Sequence, residues 1–266
     1  MKLTTSAKIN LNLEIFSEKQ ENLHKLSSVM IPIDIYDNIE IEESINETIK
    51  FSDENLNTIE STIHKALNLI RKSNPSFDKN FDIYVDKKIP HNSGLGGGSS
   101  DAGAVIRYLC DSYDLDIPSN LEIVLEVGSD VPFFVHGRSA IIHGIGEIVE
   151  PIDLNTDLDL LIAVPKVGLR TKDVFNSFDT LDSKNRDTYT WNEIEIFNDL
   201  WPAATEVYPE LVSLKEALQT KYQNKFFMSG SGSSFYSIID PIEEIKHEYE
   251  SFSFIQYCKK IDCSLY

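Results

Sequence analysis

The stretch Ser93 to Ala104 reads SGLGGGSSDAGA, and it restricts the fold more than any other part of the chain. Four glycines, Gly94, Gly96, Gly97 and Gly98, fall within five positions. Ser99, Ser100 and Asp101 follow, then apolar residues at helical spacing through Ala102, Val105 and Leu109. Upstream, Phe81, Ile83 and Val85 alternate with polar residues and Ile89-Pro90 closes the run, which marks a strand. The unit is therefore strand, glycine loop, helix. Glycine reaches positive φ and lets a ligand approach the backbone. The helix behind it leaves its first N–H groups unpaired and aims the positive end of its dipole at the loop. Together these make an anion site, most often for phosphate. The competing reading is a flexible loop ahead of an ordinary N-cap.

Around that unit the chain reads as blocks of strands and helices. Ile9, Leu11, Leu13 and Ile15 alternate with Lys8, Asn10, Asn12 and Glu14, the period of a half-buried strand. Lys8, Asn10 and Asn12 then share its polar face. Val29, Ile31, Ile33 and Ile35 lead to a predicted turn at Asp37-Asn38, after which Ile39 and Ile41 resume the pattern. Residues 54 to 72 switch to helical spacing through Leu56, Ile59, Ile63, Ala66, Leu67 and Ile70, with Asp53 as predicted N-cap. Ser119 to Glu122 reads as a capping box for a short helix that Gly128 ends. Further on come a strand at Leu158 to Val164 and a helix at Val207 to Leu218. FFMSGSGSSFYSII reads as strand, glycine turn and strand, and Asp240-Pro241 opens a helix. Strands come in runs, which predicts an α+β fold rather than a doubly wound sheet. The predicted domains are residues 1–150 and 151–266, divided near Pro151.

Composition narrows the partners. The 266 residues carry 24 basic and 43 acidic side chains, a formal charge of −19. That balance speaks against nucleic acid as partner, since phosphate backbones are bound by clustered Lys and Arg. A negative chain that takes a negative ligand needs local devices: backbone N–H groups, helix N-termini, a few cations. No stretch approaches the ~18 apolar residues of a membrane span, and MKLTTSAKIN has no signal-peptide core. The expectation is a cytoplasmic protein without membrane contact. Cys110, Cys258 and Cys263 form no metal-binding pattern and read as reduced thiols.

The loop is not a Walker loop, because no Lys-Ser or Lys-Thr follows the glycines. Pro90, His91, Asn92, Ser93, Gly94, Leu95, Gly96, Gly97, Gly98, Ser99 and Ser100 instead resemble the second motif of the GHMP kinases, which cradles ATP phosphates. SAKINLNL resembles the superfamily's N-terminal strand motif, and MSGSGSSFYSI, Met228 to Ile238, its third motif, with Gly230 facing the nucleotide. The resemblance spans nearly the whole chain and implies a two-domain GHMP fold with ATP and acceptor meeting in the cleft between domains. The Gly-Gly-Gly-Ser-Ser-Asp form and GSDVPFFVHGRSAIIHGIGE are most similar to the branch that phosphorylates a hydroxyl of a CDP-linked methylerythritol, a small-molecule substrate. A homoserine- or mevalonate-type kinase, or a non-catalytic nucleotide-binding relative, is the alternative.

That resemblance implies roles residue by residue. Asp130 matches the catalytic base and Lys8 the catalytic lysine; by pattern alone they are a turn aspartate and a strand lysine. Asn10 faces the same way as Lys8 and is placed to meet substrate. His24 matches a residue of the cytidine site, where Leu23 replaces the usual tyrosine. Phe175 matches a second stacking ring, or packs in the core. Arg170 stands where a small residue is usual. The cofactors implied are ATP and Mg²⁺, with no protein ligand to the metal beyond the Ser100 hydroxyl that relatives suggest.

Overall fold

The computed structural model describes residues 1–58, 60–115, 121–154, 156–181, 186–240 and 250–263. The readings at Ile59, at Ser119 and Asn120, and at Pro241 to Glu243 lie outside these. In chain order the strands are β1 (Lys2–Asn10), β2 (Asn12–Gln20), β3 (Leu23–Ser44), β4 (Thr48–Phe51) and β5 (Asn80–Asp86), with α1 (Thr62–Ser73) before β5. Next come α2 (Gly97–Tyr113), α3 (Leu121–Leu125), α4 (Val131–His136), β6 (Ala140–Gly144) and β7 (Ile148–Pro151). The second half holds β8 (Asp159–Pro165), α5 (Thr171–Thr180), β9 (Tyr189–Trp191), β10 (Ile194–Asn198), α6 (Trp201–Val207), α7 (Glu210–Tyr222), β11 (Phe227–Met228), β12 (Phe235–Ile238) and β13 (Phe252–Lys259).

The expected α+β architecture is what forms. One sheet runs β4-β5-β3-β2-β10-β9, with β1 and β6 also paired to β3 and β7 paired to β6; the second runs β11-β12-β8-β13. β9 and β10, from the second half, thus return to the first sheet beside β2. Ile63, Ala66, Leu67 and Ile70 of α1 pack with Val105, Ile106 and Leu109 of α2 and Ile83 and Val85 of β5 into one fully buried cluster. Burying each of the Val, Leu and Ile side chains is worth roughly 1.5–3 kcal/mol. A second cluster, with Ile9, Leu11, Ile31 and Ile33 against Leu160, Ile162 and Tyr236, joins the two sheets.

Three local readings change. The helix read at Val207 to Leu218 is two: α6 ends at Val207 and, after Tyr208 and Pro209, α7 starts at Glu210, because proline breaks a helix interior. Residues 54–58 form a separate 3-10 turn, and α1 is capped by Ser61 rather than Asp53. Ser61 Oγ accepts the His64 N–H and His64 Nδ1 accepts the Ser61 N–H, a reciprocal cap in which histidine takes the place usual for Glu or Gln. No turn occurs at Asp37-Asn38: β3 continues through both for 22 residues. Asp37 is fully buried, and its Oδ1 accepts the N–H groups of Lys88 at 2.5 Å and Ile89 at 2.9 Å. The backbone-seeking carboxylate that suggests a turn serves here to fasten the entry of the glycine loop across the sheet.

Candidate active site

Elements distant in sequence converge on one cleft of about 580 Å³. The end of β1 supplies Lys8 and Asn10, the loop ahead of α2 supplies Pro90 to Gly94 and Gly96, the first turn of α2 supplies Gly97, Gly98 and Ser99, and the start of α4 supplies Asp130. The start of α5 supplies Arg170, Thr171 and Phe175, and the β11–β12 turn supplies Gly230 to Gly232.

The glycine loop forms a backbone cradle. Gly94 and Gly96 have φ of +81° and +78°, and Gly96 caps α2 without any side-chain hydrogen bond. The Ser100 N–H bonds Gly96 O at 2.8 Å, so the N–H groups of Gly97, Gly98 and Ser99 precede the first closed turn of α2. A Cβ on Gly94 would lie 2.8 Å from Ser229 O and 2.9 Å from Gly232 O, so glycine is required for the two glycine turns to meet. The Ser93 carbonyl clasps them by accepting from Ser234 N at 3.0 Å and Ser234 Oγ at 2.5 Å. Gly97 is different: a Cβ there would press on Ile89 and the Lys87 ammonium, inside the protein rather than toward a ligand. Ser100 is corrected on its hydroxyl, which is fully buried and donates to Ser6 O at 2.5 Å. It holds α2 to β1 and has no access to a phosphate or a metal.

Lys8 and Asp130 are brought together. Lys8 is 3% exposed; its Nζ lies 3.2 Å from Asp130 Oδ2 and donates to Asn10 Oδ1 at 2.7 Å. Asp130 is the N-cap of α4 and keeps 31% of its side chain open to the cleft. Asn10 is held in turn: its Nδ2 donates to Ser28 Oγ at 2.8 Å and its N–H to Ser229 Oγ at 3.1 Å. Gly230, at φ +59°, passes just above, where a Cβ would stand 3.2 Å from Asn10 Oδ1. The pair is thus a partly open carboxylate beside a buried, fixed ammonium.

Sequence reasoning missed two supports. Asn198, on β10 and 8% exposed, donates from Nδ2 to Met228 O and Gly230 O, both at 2.8 Å, and so sets the third-motif turn. Lys87 stands behind the glycine loop between two buried carboxylates, Asp37 and, at 2.7 Å, Asp101 Oδ2. Desolvation is the largest influence on the Lys87 ammonium and lowers its pKa, but the two carboxylates outweigh it and raise it. Burial pushes Asp101 up to about 7, and its Oδ1 has no hydrogen-bond partner. The DKK of residues 86–88 before the proline was the only signal, and it reads as an ordinary polar strand end.

The aromatic side of the cleft is less open than expected. His24 Nδ1 lies 2.7 Å from Phe16 O and its Nε2 2.6 Å from Asp179 Oδ1, so both ring nitrogens face protein oxygens. Its ring stacks on Phe175 at 6.0 Å and 24°. The side chain of His24 therefore supports Phe175, and its ring nitrogens are not free to read a ligand's edge. Leu23 is 55% exposed, and Phe175 is partly buried on the cleft wall.

A family model described as the GHMP kinases N terminal domain matches residues 61–138. The chain is 32% identical over 285 residues to the 4-diphosphocytidyl-2-C-methyl-D-erythritol kinase of Thermoanaerobacter pseudethanolicus, covering 100% of this chain and 98% of that one. It is 34% identical over 244 residues to the kinase of the same name from Protochlamydia amoebophila, covering 90% and 84%. A crystal structure of 4-(cytidine 5'-diphospho)-2C-methyl-D-erythritol kinase superposes with a TM-score of 0.72 at 25% identity over 90% of each chain. A homoserine kinase from Cytophaga hutchinsonii shares the fold alone, with a TM-score of 0.59 at 13% identity over 90% of this chain and 84% of that one.

Proposed function

The chain belongs to the 4-diphosphocytidyl-2-C-methyl-D-erythritol kinases of the GHMP kinase superfamily, and on that premise we propose that Asp130, Lys8 and the two glycine turns carry out its phosphoryl transfer. It is a small-molecule kinase. ATP is the phosphate donor, and a hydroxyl of the CDP-linked methylerythritol is the acceptor, a step toward isoprenoid precursors. Among the described residues no helix is long and apolar enough to cross a membrane; we place the enzyme in the cytoplasm.

The observation that carries the assignment of roles is the 3.2 Å contact of Lys8 Nζ with Asp130 Oδ2 directly beside Gly230 and Gly96. An alcohol is a weak nucleophile, and phosphoryl transfer depends on positioning and on charge placed where it develops. Asp130 takes the proton of the acceptor hydroxyl as its oxygen bonds to the γ-phosphorus and the bridge to ADP breaks. Lys8 holds the Asp130 carboxylate in place and offers its charge to the oxygen in flight. The N–H groups of Gly97, Gly98 and Ser99, with the α2 dipole behind them, hold the polyphosphate, and Gly230 closes over it from the second sheet. Mg²⁺, when bound with ATP, would further neutralise the phosphates. Asp130 is the one carboxylate among the described residues lining the cleft, so phosphate oxygens and water would hold the ion rather than a protein cage. Phe175, on the cleft wall, stacks on the base of the acceptor, with the His24 ring packed behind it.

The test is phosphoryl transfer from ATP to a panel: the CDP-linked acceptor, the same polyol phosphate without cytidyl, homoserine and mevalonate. The first alone should turn over well. Asp130→Asn should retain ATP binding and lose about 10²–10⁴-fold in kcat. Equal use of the first two acceptors, or near-normal turnover by the variant, would overturn these roles.

A further inference from the structure

We propose that Arg170 is the cation that selects a diphosphate-bearing acceptor in this cleft, an inference that rests on the kinase reading above. A chain of charge −19 must bring two polyanions into one cleft. Among the described residues three strong cations line it: Lys8, Lys87 and Arg170. Lys8 is committed to Asp130 and Asn10. Lys87 is committed to Asp37 and Asp101 and lies behind the glycine loop. Arg170 has, among the described residues, a single carboxylate partner, Asp173 Oδ2 at 2.8 Å from Nε, and its side chain is 86% exposed. That contact engages the Nε edge and steadies the side chain on its own helix, leaving the two Nη groups as a planar pair of donors suited to two phosphate oxygens.

Position indicates which phosphate. Arg170 is the N-cap of α5, and Phe175, the ring assigned to the acceptor's base, lies on the following turn of the same helix. Asp130, which meets the acceptor's hydroxyl, is on the wall contributed by α4. A ligand that spans the cleft from Phe175 to Asp130 carries its linking diphosphate past the start of α5. There it also meets a hydroxyl pair, Thr171 Oγ1 and Ser231 Oγ, 2.8 Å apart. The competing recipient is the outer phosphate of ATP, because Ser231 belongs to the same turn as Gly230.

The experiment compares wild type with Arg170→Met and Arg170→Lys in the full chain, by two-substrate kinetics and by calorimetric titration with CDP and with ADP. Loss of a charge-assisted contact should raise KM for the acceptor and Kd for CDP by about tenfold in the Met variant. KM for ATP, Kd for ADP and kcat should stay within about twofold, and the Lys variant should recover part of the loss. Raising ionic strength from about 0.05 to about 0.3 M should weaken CDP binding in wild type more than in the Met variant. Unchanged CDP affinity in the Met variant overturns the proposal. So does a rise in KM for ATP and Kd for ADP instead, which would assign Arg170 to the donor. A wild type that fails to phosphorylate the CDP-linked acceptor overturns the kinase reading itself, and the CDP titration still judges Arg170 separately.

Discussion

Replacing Asp101 by Asn should abolish a dependence of stability on pH that the wild type owes to one buried cluster. Asp37 and Asp101 share the single ammonium of Lys87, with side chains 0%, 2% and 8% exposed respectively. Asp37 also has two backbone donors, whereas Asp101 has the Lys87 ammonium, the Asp37 carboxylate beside it and an unpartnered Oδ1. The surplus negative charge is therefore relieved by a proton on Asp101, whose pKa burial raises from 3.8 to about 7. Below pH ~4 the folded and unfolded chains both hold this proton. Between pH ~4 and ~7 only the folded chain holds it, so stability falls as pH rises, by up to ~1.4 kcal/mol per unit. Above pH ~7 neither holds it and the loss is constant. The span of about three units sets a ceiling of ~4 kcal/mol. With a urea slope of ~3 kcal/mol per M, that moves the midpoint by a little over ~1 M. Asn has nothing to titrate, and its amide can give an oxygen to Lys87 and a hydrogen to the space beside the unpartnered oxygen. The measurement is urea unfolding of both proteins at half-unit steps from pH 4 to pH 8, followed by the fluorescence of Trp191 and Trp201. The difference in midpoint, Asn variant minus wild type, should climb up to about pH 7 and then level, with the histidines cancelling between the two proteins. A difference that stays flat from pH 5 to pH 8 would refute the shared-charge account of this cluster.

Two other outcomes follow from the cleft. Phe175→Ala should raise KM for the CDP-linked acceptor by the ~1–3 kcal/mol that one stacking contact is worth, and leave KM for ATP unchanged; initial rates with each substrate varied decide it. Gly94→Ala should lose ATP affinity, because its Cβ would stand 2.8 Å and 2.9 Å from two carbonyl oxygens of the opposite turn. The left-handed φ would add about 1–2 kcal/mol of strain, and nucleotide affinity near that of wild type would show that the two turns need not touch.

What the sequence disclosed and withheld follows from the range of each interaction. The glycine loop, the strand carrying Lys8 and the third motif are written in local pattern, because backbone conformation and face alternation are decided within a few residues. The contact of Lys8 with Asp130 is not local: 122 positions separate them, and only the resemblance joined them before the structure did. Asp37 misled because Asp-Asn is turn chemistry, yet a partner 50 residues away, Lys87, made a buried strand position tolerable for it. His24 was expected to face a ligand, and Asp179, 155 residues on, engages it. Asn198 left no trace at all, since a single Asn at a strand end has no pattern to break. Local chemistry thus located the cradle, and tertiary pairing decided which polar groups remain free to use it.

The clasp between the two glycine turns also has a history in time. Ser93 and Ser234 are 141 residues apart, and Asn10 and Ser229 are 219 apart. On a ribosome adding about 5–20 residues per second, Asn10 waits roughly 11 to 44 seconds for its serine. From the synthesis of Gly98 onward, β1 and the glycine loop exist without the strand pair that roofs them. Contacts of such separation carry the largest loop-closure entropy and tend to form late. The second wall of the cradle is therefore the last to be made, and a ligand meets both glycine turns only once β11 and β12 have formed.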